Sequence, residues 1–157
     1  MIPPSLSSDP PDAPLNSPPA ILSVRSDQEE LIEPGPVVVT RGVTTQLNAE
    51  LYDTNLDDIL YVRFYVNYTV ADPTPARAAC KTTTTDSPQR SLTCDITALC
   101  GTSDVGKPGL RLEIEVFDRA LADTGTPQFK AMEPDASGNP VGLSTGRVYD
   151  LTCSEGT

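Results

Sequence analysis

The chain has 157 residues, enough for one domain with a real core. Sixteen prolines, few aromatics and no tryptophan predict a loop-rich domain whose interior is mostly Val, Leu and Ile. A net charge of −11 argues against nucleic-acid binding, which needs clustered Lys and Arg, and no run of about 18 apolar residues is present to cross a bilayer.

Residues 1–19 carry Pro3, Pro4, Pro10, Pro11, Pro14, Pro18 and Pro19. Proline fixes φ and donates no hydrogen bond, so this segment is neither helix nor interior strand. It reads as an extended tether to a domain over residues 20–157; a disordered tail and a segment ordered on a partner remain open beside that reading. Met1 is followed at once by Ile-Pro-Pro-Ser, with no secretory signal. Either the chain is cytoplasmic and complete, or an export signal has been removed.

Residues 20–25 (AILSVR) predict a first strand. An acidic loop closed by Glu33-Pro34-Gly35 follows, then a short strand over 36–40 (PVVVT) with Pro36 suited to an edge. From 47 to 52, Leu47, Ala49 and Leu51 alternate with Asn48, Glu50 and Tyr52; from 61 to 67, Val62, Phe64 and Val66 alternate with Tyr61, Arg63, Tyr65 and Asn67. That period of two puts each apolar set on one face. The intervening Asp-Thr-Asn-Leu-Asp-Asp is rich in turn formers, so residues 47–68 read as a hairpin around which the chain is organised. Residues 76–85 and 90–96 flank Asp86-Ser-Pro-Gln and read as a second hairpin. Residues 97–109 predict a loop with at most one helical turn. Leu110, Leu112, Ile114 and Val116 alternate through the clearest strand, a long polar connection follows to residue 145, and residues 146–153 close the chain as a final strand. The sum is an all-β, antiparallel sandwich of about seven strands, with an open barrel as the alternative.

The stretch ELYDTNLDDILYVRFYVN resembles the middle of bacterial immunoglobulin-like modules of the PKD and cadherin-like kind, and GLRLEIEVFD is similar to their penultimate strand. The chain lacks the PKD tryptophan and Gly-Asp-Gly turn, and the antibody Cys-Trp-Cys core. The resemblance implies an immunoglobulin-like sandwich and a non-catalytic module of an exported bacterial protein, often a lipoprotein. A lipidated cysteine at or beside the position of Met1 would then be the chain's one link to a membrane.

Cys80, Cys94, Cys100 and Cys153 are not spaced as C-x-x-C pairs, and there is no histidine. Two disulfides in an oxidising compartment are the favoured reading over a zinc site or four reduced thiols. If the second hairpin forms, Cys80 faces Cys94; the final strand, antiparallel to the one at Leu110, brings Cys153 to Cys100. The competing pairing is Cys94–Cys100 with Cys80–Cys153. Export to a periplasmic, outer-membrane-associated or extracellular location follows from either.

Without histidine there is no Ser-His or Cys-His pair, and no Gly-rich phosphate loop follows a strand, so the chain is read as not an enzyme. Asn67-Tyr-Thr matches a glycosylation sequon and, in a bacterial chain, is read as a chance match. One acidic constellation invites a cofactor: Asp53, Asn55, Asp57 and Asp58 after one strand, Asp118 and Asp123 after another, a set of oxygen ligands suited to calcium. The EF-hand pattern fails at Asp58 and Phe64, and Arg119 would neutralise the cluster. A partner surface is expected from the outward aromatics Tyr61, Tyr65 and Phe117, with Phe129 and Met132 on the long connection, unless these side chains pack beneath that connection. The expected function is a structural or protein-binding part of a cell-envelope or surface assembly. The alternative is a calcium-dependent adhesin or carbohydrate-binding module.

Overall fold

The computed structural model describes residues 16–27, 29–122, 130–133 and 142–156. Most of the Pro-rich segment therefore lies outside the described residues, as do Phe129 and Asp123. Eight strands occur among the described residues: β1 (Ala20–Arg25), β2 (Val37–Arg41), β3 (Gln46–Tyr52), β4 (Tyr61–Val66), β5 (Ala78–Lys81), β6 (Gln89–Asp95), β7 (Leu110–Phe117) and β8 (Ser144–Glu155). The loop between β6 and β7 holds one 3-10 turn at Thr102–Asp104.

The strands form two sheets, β1-β3-β6 and β2-β8-β7-β4-β5. All pairings are antiparallel except β2 with β8, which is parallel. Alternation decides what fills the space between the sheets. Leu47, Ala49 and Leu51 of β3 meet Val62, Phe64 and Val66 of β4 and Leu110, Leu112, Ile114 and Val116 of β7 in one buried cluster. Across the β4–β7 ladder, Val62 lies opposite Val116, Phe64 opposite Ile114 and Val66 opposite Leu112, so apolar partners coincide on the inner face. Each such side chain contributes about 1.5–3 kcal/mol by leaving water.

Two expectations are corrected. Residues 47–68 are not a hairpin: β3 and β4 belong to different sheets, and the acidic turn is an arch crossing from one to the other. Residues 76–96 are not a hairpin either. β5 pairs with β4, β6 pairs with β3, and the chain between them crosses back at the opposite edge. β5 ends after four residues where, at the next pair, the Thr82 side chain joins the pairing: Thr82 N–H donates to Leu60 O at 2.9 Å, and Leu60 N–H donates to Thr82 Oγ1 at 3.0 Å. Strand ends at Tyr52, Lys81 and Phe117, and strand starts at Ala20, Tyr61, Gln89 and Ser144, share one end, here called upper.

One disulfide joins the two sheets, and the other ties the β6–β7 loop to the five-stranded sheet. Cys80 of β5 bonds Cys94 of β6 with Cα atoms 5.4 Å apart, closing the edge at which the chain crosses. Cys100, after β6, bonds Cys153 of β8 with Cα atoms 5.7 Å apart at the lower end. The favoured partners meet, the first pair across the gap between sheets instead of across a hairpin.

Candidate functional site

Residues from four places converge at the upper end. Asp53 opens the β3–β4 arch and is 1% exposed. Its Oδ1 accepts the backbone N–H of Asn55 at 2.8 Å, an Asx turn, and its own N–H donates to Pro88 O at 2.9 Å. Asp118, at the end of β7 and 2% exposed, accepts Leu143 N–H on Oδ1 at 2.8 Å and Asn16 Nδ2 on Oδ2 at 2.6 Å. Asn16 in turn accepts Asn55 Nδ2 at 2.5 Å, so the end of the Pro-rich segment is bonded to both loops. The guanidinium of Arg90, 4% exposed, donates to the carbonyls of Asp58 and, at 2.7 Å, of Asn55, and so holds the arch from inside.

This is the cluster the sequence offered to calcium, with changed membership. Asp53, Asn55 and Asp118 come together. Of the two neighbours named with them, Asp57 points to solvent and Asp58 is half-buried in the cluster. Burial pushes Asp53 above the usual carboxylate range; the Asn55 N–H and Arg90 oppose the rise, and the charge of Asp118 adds to it. Burial likewise raises Asp58, against the Asn55 hydrogen bond and Arg119, with Asp53 and Asp118 adding. Asp53 Oδ2 and Asp58 Oδ2 are buried without a hydrogen-bond donor, and so are the Nε donors of Arg90 and Arg119 without an acceptor. Among the described residues no three carboxylates are arranged to hold a metal ion. The cluster is a mixed carboxylate–guanidinium cap.

The outward aromatics are covered. Tyr65 is 0% and Phe117 1% exposed; with Leu121 they form a second small core, on which Tyr61, Tyr68, Ala76 and Met132 pack. The cover is the β7–β8 connection itself. Its two arms are held by Ala122 N–H to Ala131 O and Glu133 N–H to Ala120 O, both 2.7 Å, around a bridge of Leu121 with Met132. Lys130 latches this strap. Its Nζ lies 2.7 Å from Glu113 and 2.6 Å from Glu115, and 4.1 Å and 4.9 Å from the ring centres of Tyr68 and Tyr65. Burial works against the charge on Lys130, but the bonds to Glu113 and Glu115 outweigh it and raise the ammonium above its ordinary range. As partner-binding residues Tyr65 and Phe117 are therefore corrected: they are the interior of a strap, not a docking surface. Tyr61 and Met132 are half-buried in the same packing.

Three groups escaped the sequence reading. Arg90 shares the inward face of β6 with Leu92 and Cys94, and a charge at an inward position was the available signal for a buried acceptor. Arg77, at the lower end, donates to Leu99 O at 2.9 Å and to the buried carboxylate of Asp104, which also accepts Gly101 N–H at 2.8 Å. Although burial alone would raise Asp104, those bonds hold it below its ordinary range. Arg147 of β8 donates to Ile21 O at 2.7 Å, closing the side of the sandwich beneath β1.

No known protein family and no curated protein matches the chain. Among solved structures, one chain of the complex formed between zinc 2-glycoprotein and prolactin inducible protein from human seminal plasma is 10% identical over 84% of this chain and 96% of that one, with a TM-score of 0.31. What stands from the structure is an all-β, sandwich-like domain of two sheets with two disulfides, consistent with an oxidising, extracytoplasmic location.

Proposed function

We propose that the chain is a non-catalytic immunoglobulin-like module, serving as a structural or protein-binding part of a bacterial cell-envelope or surface assembly. The strand order carries the reading. Sheets β1-β3-β6 and β2-β8-β7-β4-β5 follow the immunoglobulin pattern if β1 and β2 are taken as one split first strand, one half on each sheet. In that frame the arch at Asp53 and the strap after Phe117 occupy positions where such sandwiches carry binding loops. The titratable groups at both ends are bonded into the scaffold, which favours a structural use of their charge over acid–base chemistry.

The alternative, a calcium-dependent adhesin or carbohydrate-binding module, has Arg90 against it, because its guanidinium is built into the turn that would supply the ligands. Calorimetry with calcium chloride is expected to give no saturable heat. The main reading is tested by fractionating native cells and mapping the chain's peptides without reductant. Recovery in the envelope fraction with both disulfides formed, crosslinked to a second envelope protein, is the expected result. Recovery in the cytosol with four alkylatable thiols would overturn it.

A further inference from the structure

The four sheet edges are not equally protected. β1 has Ile21 O taken by Arg147 and Val24 O by Leu31 N–H. β5 and β6 are tied to each other by Cys80–Cys94. β2 has no such device. Among the described residues its backbone pairs with β8; beyond that ladder Thr40 O accepts the Val43 N–H, and Cys100 Sγ lies 3.9 Å from Val39 O. Pro36 and Arg41 blunt its two ends, but Val37–Thr40 carries no charge, and Val38 is 60% exposed. An unpaired edge of this kind is a template for another strand.

Beside that edge lies a groove of about 410 Å³. β1 pairs with β3 only as far as Asn48, so Gln46 and Leu47 continue below it with no strand beside them on that side. Leu31, Val37, Leu47 and Ile96 form an apolar floor, and among the described residues Asp27 and Glu29 supply the only charges in the lining. Five residues of β2 offer roughly 16 Å of edge, enough for an extended segment of five or six residues.

We propose that this groove receives an extended, basic segment of another polypeptide, which adds to β2 as an extra strand. Main-chain bonds to β2 supply the docking, alternate apolar side chains reach the floor, and Lys or Arg on the same segment pair with Asp27 and Glu29. The chain's own residues 1–15 are a poor occupant by sequence: five prolines withhold backbone donors, and Asp9 and Asp12 would meet acidic walls. The proposal rests on the protein-binding reading above and adds the partner's chemistry. Fractionation and crosslinking test that reading separately, so the two can fail independently.

The test is titration of the isotope-labelled full chain with a capped hexapeptide alternating lysine and valine, followed by amide chemical shifts. Expected are saturable shifts centred on Val37–Arg41 and cross-strand proton contacts between the peptide and β2. A glutamate–valine hexapeptide should bind about tenfold more weakly or worse, and the double variant Asp27→Asn, Glu29→Gln should lose a similar factor. Val38→Lys, at an exposed position, should weaken binding by about tenfold while leaving the melting temperature unchanged. The proposal is overturned by absent binding, by shifts centred elsewhere, by equal binding of a lysine–serine hexapeptide, or by a β2-to-β2 dimer of the chain occupying the edge.

Discussion

The outer faces of the two sheets have opposite fates. On the five-stranded sheet the outer positions include Tyr61, Tyr65 and Phe117, and the strap lies over them with Lys130 as its latch. On the three-stranded sheet the outer positions are mostly polar, with Leu22 of β1 and Tyr52 of β3 left exposed, and the polar ones bond one another in water: Ser91 Oγ to Glu50 at 2.6 Å, and Thr93 Oγ1 to Asn48 at 2.6 Å. Each face thus states whether it expects a cover. A cluster of aromatic bulk such as Tyr61, Tyr65 and Phe117 needs a lid or a partner, unlike the single Tyr52 on the other face, and here the chain supplies the lid from its own next loop. Glu113 and Glu115 on the covered face would be costly under a purely apolar strap. Lys130 neutralises that cost.

Three substitutions would break or sharpen this contrast. Phe117→Ala should cost about 3–5 kcal/mol in urea unfolding, as for a core aromatic, although its strand position is outward. A loss below about 1 kcal/mol would mean that the strap is not packed. Next, Lys130→Met should be destabilising in a pH-dependent way. The folded ammonium holds its proton more tightly than the unfolded one, so its contribution is fully present below the ordinary lysine range and is lost as pH rises through the raised folded value. Melting temperatures of the parent and variant should converge on alkaline titration; a constant gap would show that the latch works by packing alone. Smallest of all, Thr93→Ala on the other face should stay within about 0.5 kcal/mol of the parent, because both partners remain hydrated.

Alternation made the inward side chains legible. Leu47, Ala49 and Leu51, and Leu110 to Val116, sit where a period of two put them. Alternation could not tell which sheet a strand joins. β3 and β4 show the same apolar pattern whether they pair or face each other across the core, and Asp and Asn suit an arch as well as a hairpin turn. What distinguishes the arch is Arg90, whose contact with it spans more than 30 residues of chain. The gathering of Asp53 and Asp118 was legible, because both strands end on one side. The choice of Asp58 over Asp57 was not, since it depends on the rotation of a turn whose neighbours share one residue type. Burial of Tyr65 under a remote loop leaves a trace only in a few apolar residues of a mostly polar connection, among them Leu121 and Met132.

The parallel pairing of β2 with β8 has a mechanical consequence. The described chain enters near Asn16 at the upper end and leaves at Gly156, beside Arg41, at the lower. A pull between those points draws β8 downward while β2 is held from above. The ladder from Val37–Leu151 to Arg41–Glu155 is then loaded in shear, all rungs together instead of one after another. Once those rungs part, the covalent path short-circuits through Cys80–Cys94 and Cys100–Cys153, keeping loops of sequence separation 14 and 53 out of the extension. Single-molecule stretching should therefore record a released length shortened by those loops until reductant is added. In the oxidised state the domain behaves as a stiff link that yields only in part.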